Sequence, residues 1–388
     1  VSFLHIYSVG TRRKFKFSIA KPFTLEKNNI IYGGIQDTNI GHKVLDSPPQ
    51  IAVVNLGPIG YYHLENCIIN ENSPFVYSIA ENTLYYQEYP FPDFNILNLV
   101  TGFVKYKISI GFITNLKFKQ YNENGIMLTG SYSSNWYHWT HDILSRVVLI
   151  EKLPDKYNDF PLIIPEVNFK SKNHLDFLKI VFPDRQLIPI NSSIKLKNCI
   201  YVDSPSISSP NTYETLSEYD KIRIGNRRTD LLQIYRKLVI DRLEELNLNN
   251  PKVYPKKIFL ARKQNIRSYN QDEIFNCLKN YEFEQVFLEE LDVFEQLSIM
   301  YYAEYIVGAT GAAWANLLFS NAKYALIWAP ECVQESNTYT KVAQVSGTDL
   351  RYIKFPTESK RWKDFKTLKS PYYVSIELIE NGLKLFDN

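Results

Sequence analysis

Tyr305-Ile306-Val307-Gly308-Ala309-Thr310-Gly311-Ala312-Ala313-Trp314-Ala315-Asn316 passes from an apolar strand through a run of small residues straight into a helix. At such a junction the unpaired N–H groups of the first helical turn, with the macrodipole behind them, can meet a phosphate, and side chains without bulk let it come close. Gly308 and Gly311 lack the spacing of the dinucleotide fingerprint, and the Lys-Ser/Thr of a P-loop is missing, so the stretch serves either an anion or close strand–helix packing. Around it the pattern alternates. Strands are predicted at 257–261, 283–288, 305–307 and 324–329, separated by helices. Two of those helices open with Asn270/Glu273 and Asp292/Glu295 at capping-box spacing. Alternation of this kind specifies a doubly wound parallel sheet, whose ligands sit at the carboxyl ends of the strands.

A second alternation precedes it. Strands at 126–128, 161–165, 186–190 and 199–202 enclose helices at 135–152 and Lys172–Val181, while about the first 120 residues hold short apolar runs broken by Pro, Gly and Asn. A charged helix over 229–248, ending in Asn249-Asn250-Pro251, is a natural bridge between lobes, and the polar stretch 204–213 is expected as a loop at the rim of a site or interface. The expected division is 1–240 (β-rich 1–120, α/β 121–240) and 241–388, the latter a doubly wound lobe.

With 388 residues the chain is long enough for two cored domains, and 45% hydrophobic against 22% charged residues marks it as globular. A net charge of +3 from 44 basic and 41 acidic residues gives no nucleic-acid footprint and no polybasic membrane patch. No apolar stretch is long enough to span a bilayer and the start carries no secretory pattern, so a soluble chain is expected; because it begins at Val1, an upstream anchor or domain stays open. Cys67, Cys199, Cys277 and Cys332 have neither metal-site spacing nor disulfide-scaffold density, and reduced thiols in the cytoplasm are the simplest reading.

The helix predicted at 135–152 carries the side chains for proton transfer. At about 100° per residue, Asn135, His138, Asp142 and Arg146 fall within about 80° of arc, while Trp136, Ile143, Val147 and Ile150 share another face. His138 and Asp142, one turn apart, can hydrogen-bond so that the carboxylate fixes the imidazole tautomer, or either can take a proton from a hydroxyl. The bland alternative is a surface Asp142–Arg146 pair. His141 points off the stripe. Arg262 and Lys263 end the strand at 257–261, where a guanidinium can grip a diphosphate and a solvated basic pair is the ordinary alternative. Glu295 either caps its helix or contacts a ribose hydroxyl, and Trp314 either stacks on a ligand or fills the core.

These motifs together resemble glycosyltransferase family 61. Its members look like Asn-Tyr-Tyr-His-Trp-Leu-x-Asp where this chain has Asn135-Trp136-Tyr137-His138-Trp139-Thr140-His141-Asp142. A strand ending in Ser-Arg corresponds to Phe259-Leu260-Ala261-Arg262. A Glu-x-Leu-x-x-x-Glu-Gln stretch corresponds to Glu289-Glu290-Leu291-Asp292-Val293-Phe294-Glu295-Gln296, and Val-Gly-x-His-Gly-Ala-Gly-Leu-x-Asn to 307–316. Order and separation are kept from about Gly125 to Pro330. The resemblance implies an α/β, GT-B architecture of two Rossmann-like lobes facing across a cleft, here with a β-rich N-terminal portion. It implies inverting transfer of a sugar, hexosyl or pentosyl, from a nucleotide donor, usually UDP-linked, to a glycan hydroxyl, with no metal or other cofactor.

On that basis Asp142 and His138 are the expected catalytic pair and Asn135 positions the acceptor. Arg262, Lys263, Glu295, Thr310, Gly311, Ala312 and Asn316 are expected at the donor. The expected partners are a nucleotide sugar and a glycan acceptor, without nucleic acid or a transmembrane segment; peripheral membrane association and membership of a longer multidomain chain stay open. The expected setting is bacterial capsule or lipopolysaccharide synthesis in the cytoplasm, at the inner face of the membrane. One departure matters: the family's histidine in the glycine turn is Thr310 here, and a threonine carries no charge near neutrality. If that histidine stabilises the diphosphate, Arg262 or Lys263 has to compensate, or the donor site is altered. A non-catalytic sugar-nucleotide or glycan-binding module and a sugar-phosphate transferase are the rival readings.

Overall fold

The computed structural model describes residues 6–7, 14–24, 26–87, 99–101, 104–107, 110–113, 118–120, 123–207, 222–223, 226–247, 253–263, 267–333, 337–358 and 371–386. The protein is mixed α/β and divides into two compact units: Val1–Asp37, Asn55–Leu216 and Gly225–Leu231 form the first, and Thr38–Val54, Ser217–Ile224 and Leu232–Asn388 the second.

The first unit is organised by β1 (Ile59–Ile69), β2 (Asn124–Met127), β3 (Leu162–Pro165), β4 (Leu187–Ile190) and β5 (Ser193–Val202), in the order β4-β3-β2-β5-β1. The first four in that order pair in parallel, as the alternation with α1 (Lys172–Val181) requires. Between β5 and β1 the pairing is antiparallel, from Val202↔Tyr61 to Ile194↔Ile69. Beyond β1 the sheet continues through Val76–Ser78, Thr83–Tyr86, Lys14–Pro22 and Ile110–Ile113, so much of the β-rich N-terminal portion extends the same sheet, while Ile35–Ile40 and Ile51–Leu56 pair as a two-stranded sheet of their own. Phe23 stacks on Tyr62 (4.1 Å between ring centres) and Tyr85 (5.0 Å), with Tyr201 at 4.6 Å, which places much of the abundant aromatic content in the core. A two-stranded ribbon follows, β6 (Ser206–Ile207) with β7 (Asn226–Arg227). The rest of the polar stretch expected at 204–213 lies outside the described residues, as does the Asn249-Asn250-Pro251 helix end.

The helix expected at 135–152 is not one α-helix. His138–Ile143 is a π-helical turn, Leu144–Arg146 is 3-10, and only Val147–Ile150 is α-helical. Two hydroxyls account for the irregularity: Thr140 Oγ1 donates to Trp136 O (2.8 Å) and Ser145 Oγ to His141 O, each competing with the backbone ladder.

The longest stretch of the second unit starts within helix α2 (Thr229–Asn247), after Leu231, and is built on β8 (Lys257–Leu260), β9 (Glu284–Val286), β10 (Tyr305–Ala309), β11 (Tyr324–Pro330) and β12 (Asp349–Phe355). All pairings are parallel and the order is β9-β8-β10-β11-β12. Connectivity therefore reverses between β8 and β10, the switch point of an open α/β sheet. Phe259, Val307, Leu326, Trp328 and Ile353 pack on one face against Ile274 and Leu278 of α3 (Gln271–Lys279) and Ile379 and Leu383 of α6 (Ile376–Lys384). Helices α4 (Val293–Tyr302) and α5 (Thr338–Ser346) and a 3-10 helix over Ala312–Phe319 complete the unit.

Two local expectations change here. The helix after the glycine turn is 3-10 throughout, and Asn270 does not cap α3: its side chain donates to Glu273 Oε2 and Val374 O and accepts from Val374 N, tying α3 to the chain a hundred residues on. Asp292 does cap α4, accepting from Glu295 N at 2.9 Å. Among the described residues no helix is long and apolar enough to cross a membrane.

Candidate functional site

In the first unit Asn135 Oδ1 accepts from Tyr137 N (2.9 Å) and His138 N (3.4 Å), so its carbonyl oxygen starts the π-turn and only its exposed amide nitrogen is left to meet a ligand. The turn sets His138 Nδ1 2.7 Å from Asp142 Oδ2, with 26% and 17% of the two side chains exposed. An ionised carboxylate only accepts hydrogen bonds, so Nδ1 carries the proton. His138 Nε2 has no partner among the described residues. Ser206 Oγ donates to the other oxygen, Asp142 Oδ1, at 3.2 Å.

The polar stripe drawn on an ideal helix is corrected at its far end. Arg146 is 4% exposed and donates to Thr129 O (3.1 Å) and Met127 O, with its guanidinium over the Tyr201 ring. It is a structural cation beneath the site, and no surface Asp142–Arg146 pair forms. His141 is fully buried and stacks on Tyr137 at 4.6 Å. Nearby, burial pushes the Asp203 carboxyl up to about 7, opposed by hydrogen bonds from Gly60 N and Tyr62 Oη and by the charge of Arg146.

In the second unit Arg262 follows β8 and Gly311 follows β10, and the structure brings them together. Gln271, the first residue of α3, holds both peptide groups of Arg262, accepting from its N–H at 2.8 Å and donating to its carbonyl at 3.1 Å. The guanidinium then reaches across the switch point, Nη2 donating to Thr310 O and, at 3.4 Å, to Ala309 O. A side chain on Gly311 would place its Cβ 2.7 Å from Nη2, the mobile tip of the Arg262 side chain. Gly308 meets a fixed neighbour instead: its Cβ would lie 2.9 Å from Leu260 Cβ and 3.0 Å from Leu260 O on the adjacent strand.

The carbonyls of the turn are all engaged, Ala309 O by Trp314 Nε1 (3.0 Å) and Gly311 O by Tyr339 Oη (2.8 Å), while the N–H groups of Gly311, Ala312 and Ala313 have no acceptor among the described residues. Arg262 Nη1 and Arg267 Nε are buried without a hydrogen-bond partner among the described residues. Burial first, then the charge of Arg262, lowers the Arg267 pKa. Two guanidiniums and a row of N–H groups thus gather around one strand-end turn, donors of the kind an anion accepts from.

Other expected donor residues are placed differently. The Lys263 ammonium pairs with Glu290 and lies over the Phe287 ring, and its N–H donates to Glu289, so its charge is balanced within the loop. Ala312 opens the 3-10 helix half-buried, and Glu295 is half-buried in the first turn of α4. Asn316 is fully buried with Nδ2 3.4 Å from Gln296 Oε1, a brace beneath the turn and not a surface contact; Trp314, also fully buried, is core. Sequence reasoning missed Arg267, Tyr339 and Ser206. Arg267 had a signal in its position five residues after Arg262, beside the same strand end; Tyr339 had none. Among the described residues no three His, Cys, Asp or Glu side chains converge as metal ligands.

No curated protein matches the chain closely enough to count as a relative. The model of the Glycosyltransferase 61 family matches residues 136–327, a span that opens at the π-turn of the first unit and runs past the switch-point turn of the second. The chain belongs to glycosyltransferase family 61.

Proposed function

We propose that this glycosyltransferase moves a sugar from a nucleoside diphosphate donor, UDP-linked, to a glycan hydroxyl with inversion, as a GT-B enzyme in which the second unit takes the donor and the first the acceptor. The observation that carries the reading is the meeting of Arg262 with the Thr310–Gly311 turn at the switch point of the β9-β8-β10-β11-β12 sheet. Diphosphate oxygens accept from the N–H groups of Gly311, Ala312 and Ala313 and from Arg262 and Arg267. Charge that develops on the leaving diphosphate meets fixed donors in a partly buried site, the work a metal does in other transferases. His138 Nε2 takes the acceptor O–H proton, the oxygen lone pair bonds to the anomeric carbon, and the electron pair of the breaking C–O bond leaves with the diphosphate. Asp142 holds His138, and the Asn135 amide is left to donate to the acceptor.

The same reading assigns the enzyme to bacterial surface-polysaccharide assembly on the cytoplasmic side, which four cysteines outside any disulfide suit. The test is a transfer assay with a panel of UDP-hexoses and UDP-pentoses in the presence of a chelator. Product of inverted anomeric configuration, lost in Arg262→Ala and His138→Ala, is expected. Donor binding without turnover by the parent protein would point instead to a binding module, and a phosphodiester product to a sugar-phosphate transferase.

A further inference from the structure

We infer that Ser206 is a positioning residue for the base: its hydroxyl pins the Asp142 carboxylate in the one orientation that leaves His138 Nε2 as the proton-accepting atom. The inference rests on the proposed reaction and goes beyond it by assigning a residue that no motif contains.

Ser206 is completely buried in β6, and the ribbon that carries it is fastened to the π-turn at two further points. Ser204 Oγ lies 2.8 Å from Asp142 O and 2.7 Å from Ser206 O, and accepts from Ser206 N at 3.2 Å, so the Ser204-Pro205-Ser206 bend is closed around one hydroxyl. Across the ribbon Ser206 pairs with Arg227, which is 1% exposed and donates Nε to Tyr137 Oη at 3.0 Å. The ribbon thus grips the residue before His138 and the backbone of Asp142, and its serine reaches Asp142 Oδ1.

With Oδ1 accepting from Ser206 and Oδ2 from His138, rotation of the carboxylate breaks one or the other bond. Among the described residues the groups facing His138 are Asp142, the Tyr132 ring at 5.4 Å and the Tyr137 ring at 5.9 Å, with Arg227 and His141 behind Tyr137. Asp142 is the only anion among them, so its orientation selects the tautomer.

The chain has 6 histidines, few enough for each ring to be assigned by nitrogen-15 NMR of histidine-labelled full-length protein. In the parent, His138 is expected as the Nδ1–H tautomer. In Ser206→Ala a second tautomer should appear and kcat for transfer should fall about tenfold with donor KM unchanged. Ser206→Thr, which keeps the hydroxyl, should restore both. If Ser206→Ala does not fold, Ser206→Cys keeps the volume with a weak donor and should show the same tautomer mixture.

An Nε2–H tautomer in the parent, or a single unchanged tautomer in Ser206→Ala with only a lowered melting temperature, overturns the inference. A tautomer mixture in Ser206→Ala, from a parent that transfers no sugar, would uphold the clamp and sink the proposed reaction, so the two failures are distinguishable.

Discussion

Replacing Asp203 with Asn should remove a pH dependence that the first unit carries in its core. Asp203 is 2% exposed; Oδ2 accepts from Gly60 N at 3.0 Å and Tyr62 Oη at 3.3 Å, while Oδ1 is buried without a partner among the described residues. Burial outweighs those bonds and the nearby Arg146, and the folded carboxyl titrates at about 7. In an unfolded chain the same group titrates near 3.9. The folded state therefore holds the proton more tightly, and the stabilisation it confers is complete below about pH 3.9 and lost as pH rises to about 7. About three pH units at about 1.4 kcal/mol each gives up to about 4 kcal/mol, of which roughly 1.5 is gone by pH 5 and nearly all by pH 8.

The carboxamide introduced by Asp203→Asn would mimic the protonated acid at every pH. The urea midpoint of the first unit, read from hydrogen-exchange labelling of β1 and β5, should thus fall with pH in the parent relative to Asp203→Asn. His174, whose pKa burial lowers to about 4, destabilises the fold in the opposite sense as pH drops below about 6.5, and it cancels in the subtraction. A difference between the two chains that stays flat from pH 5 to 8 would refute the reasoning.

Gly308→Ala should lower stability by about 1–3 kcal/mol, because the added methyl meets the backbone and Cβ of Leu260 and not a side-chain tip that can swing away; thermal unfolding checks it, and an unchanged melting temperature would contradict the strand spacing. Gly311→Ala meets only the tip of Arg262, so it should leave the melting temperature within a few degrees and weaken nucleotide binding roughly tenfold by displacing the fork, as measured by calorimetry. Trp314→Ala empties a fully buried site and breaks the bond to Ala309 O, for a loss of about 3–5 kcal/mol read in chemical denaturation. Were Trp314 a ligand platform, binding and not stability would change.

The strand-to-turn stretch at 305–316 could be read from sequence because a buried parallel strand is an uninterrupted apolar run and a close approach demands small residues. The alternation around it led to a parallel sheet for the same reason. The strand order could not be read, since pairing between β8 and β10 joins residues far apart in sequence, and that pairing is what sets Arg262 against Thr310. Ideal helical geometry placed His138 beside Asp142 correctly but failed at Arg146. The hydroxyls of Thr140 and Ser145 turn the segment into π- and 3-10 geometry, an effect no hydrophobic period reports. The capping box at Asn270 failed because a tertiary partner, Val374, competed for the same side chain. Arg267, Tyr339 and Ser206 acquire meaning only once the turns that gather them have formed.

The most direct test of the donor site is isothermal calorimetry of UDP with the intact chain, the parent against Arg262→Ala and His138→Ala. Binding at one site, weakened at least tenfold in Arg262→Ala and unchanged in His138→Ala, is the expected result. Equal affinity of the parent and Arg262→Ala for UDP, or no binding of any nucleoside diphosphate by the parent, would contradict the assignment of the switch-point turn as the donor site.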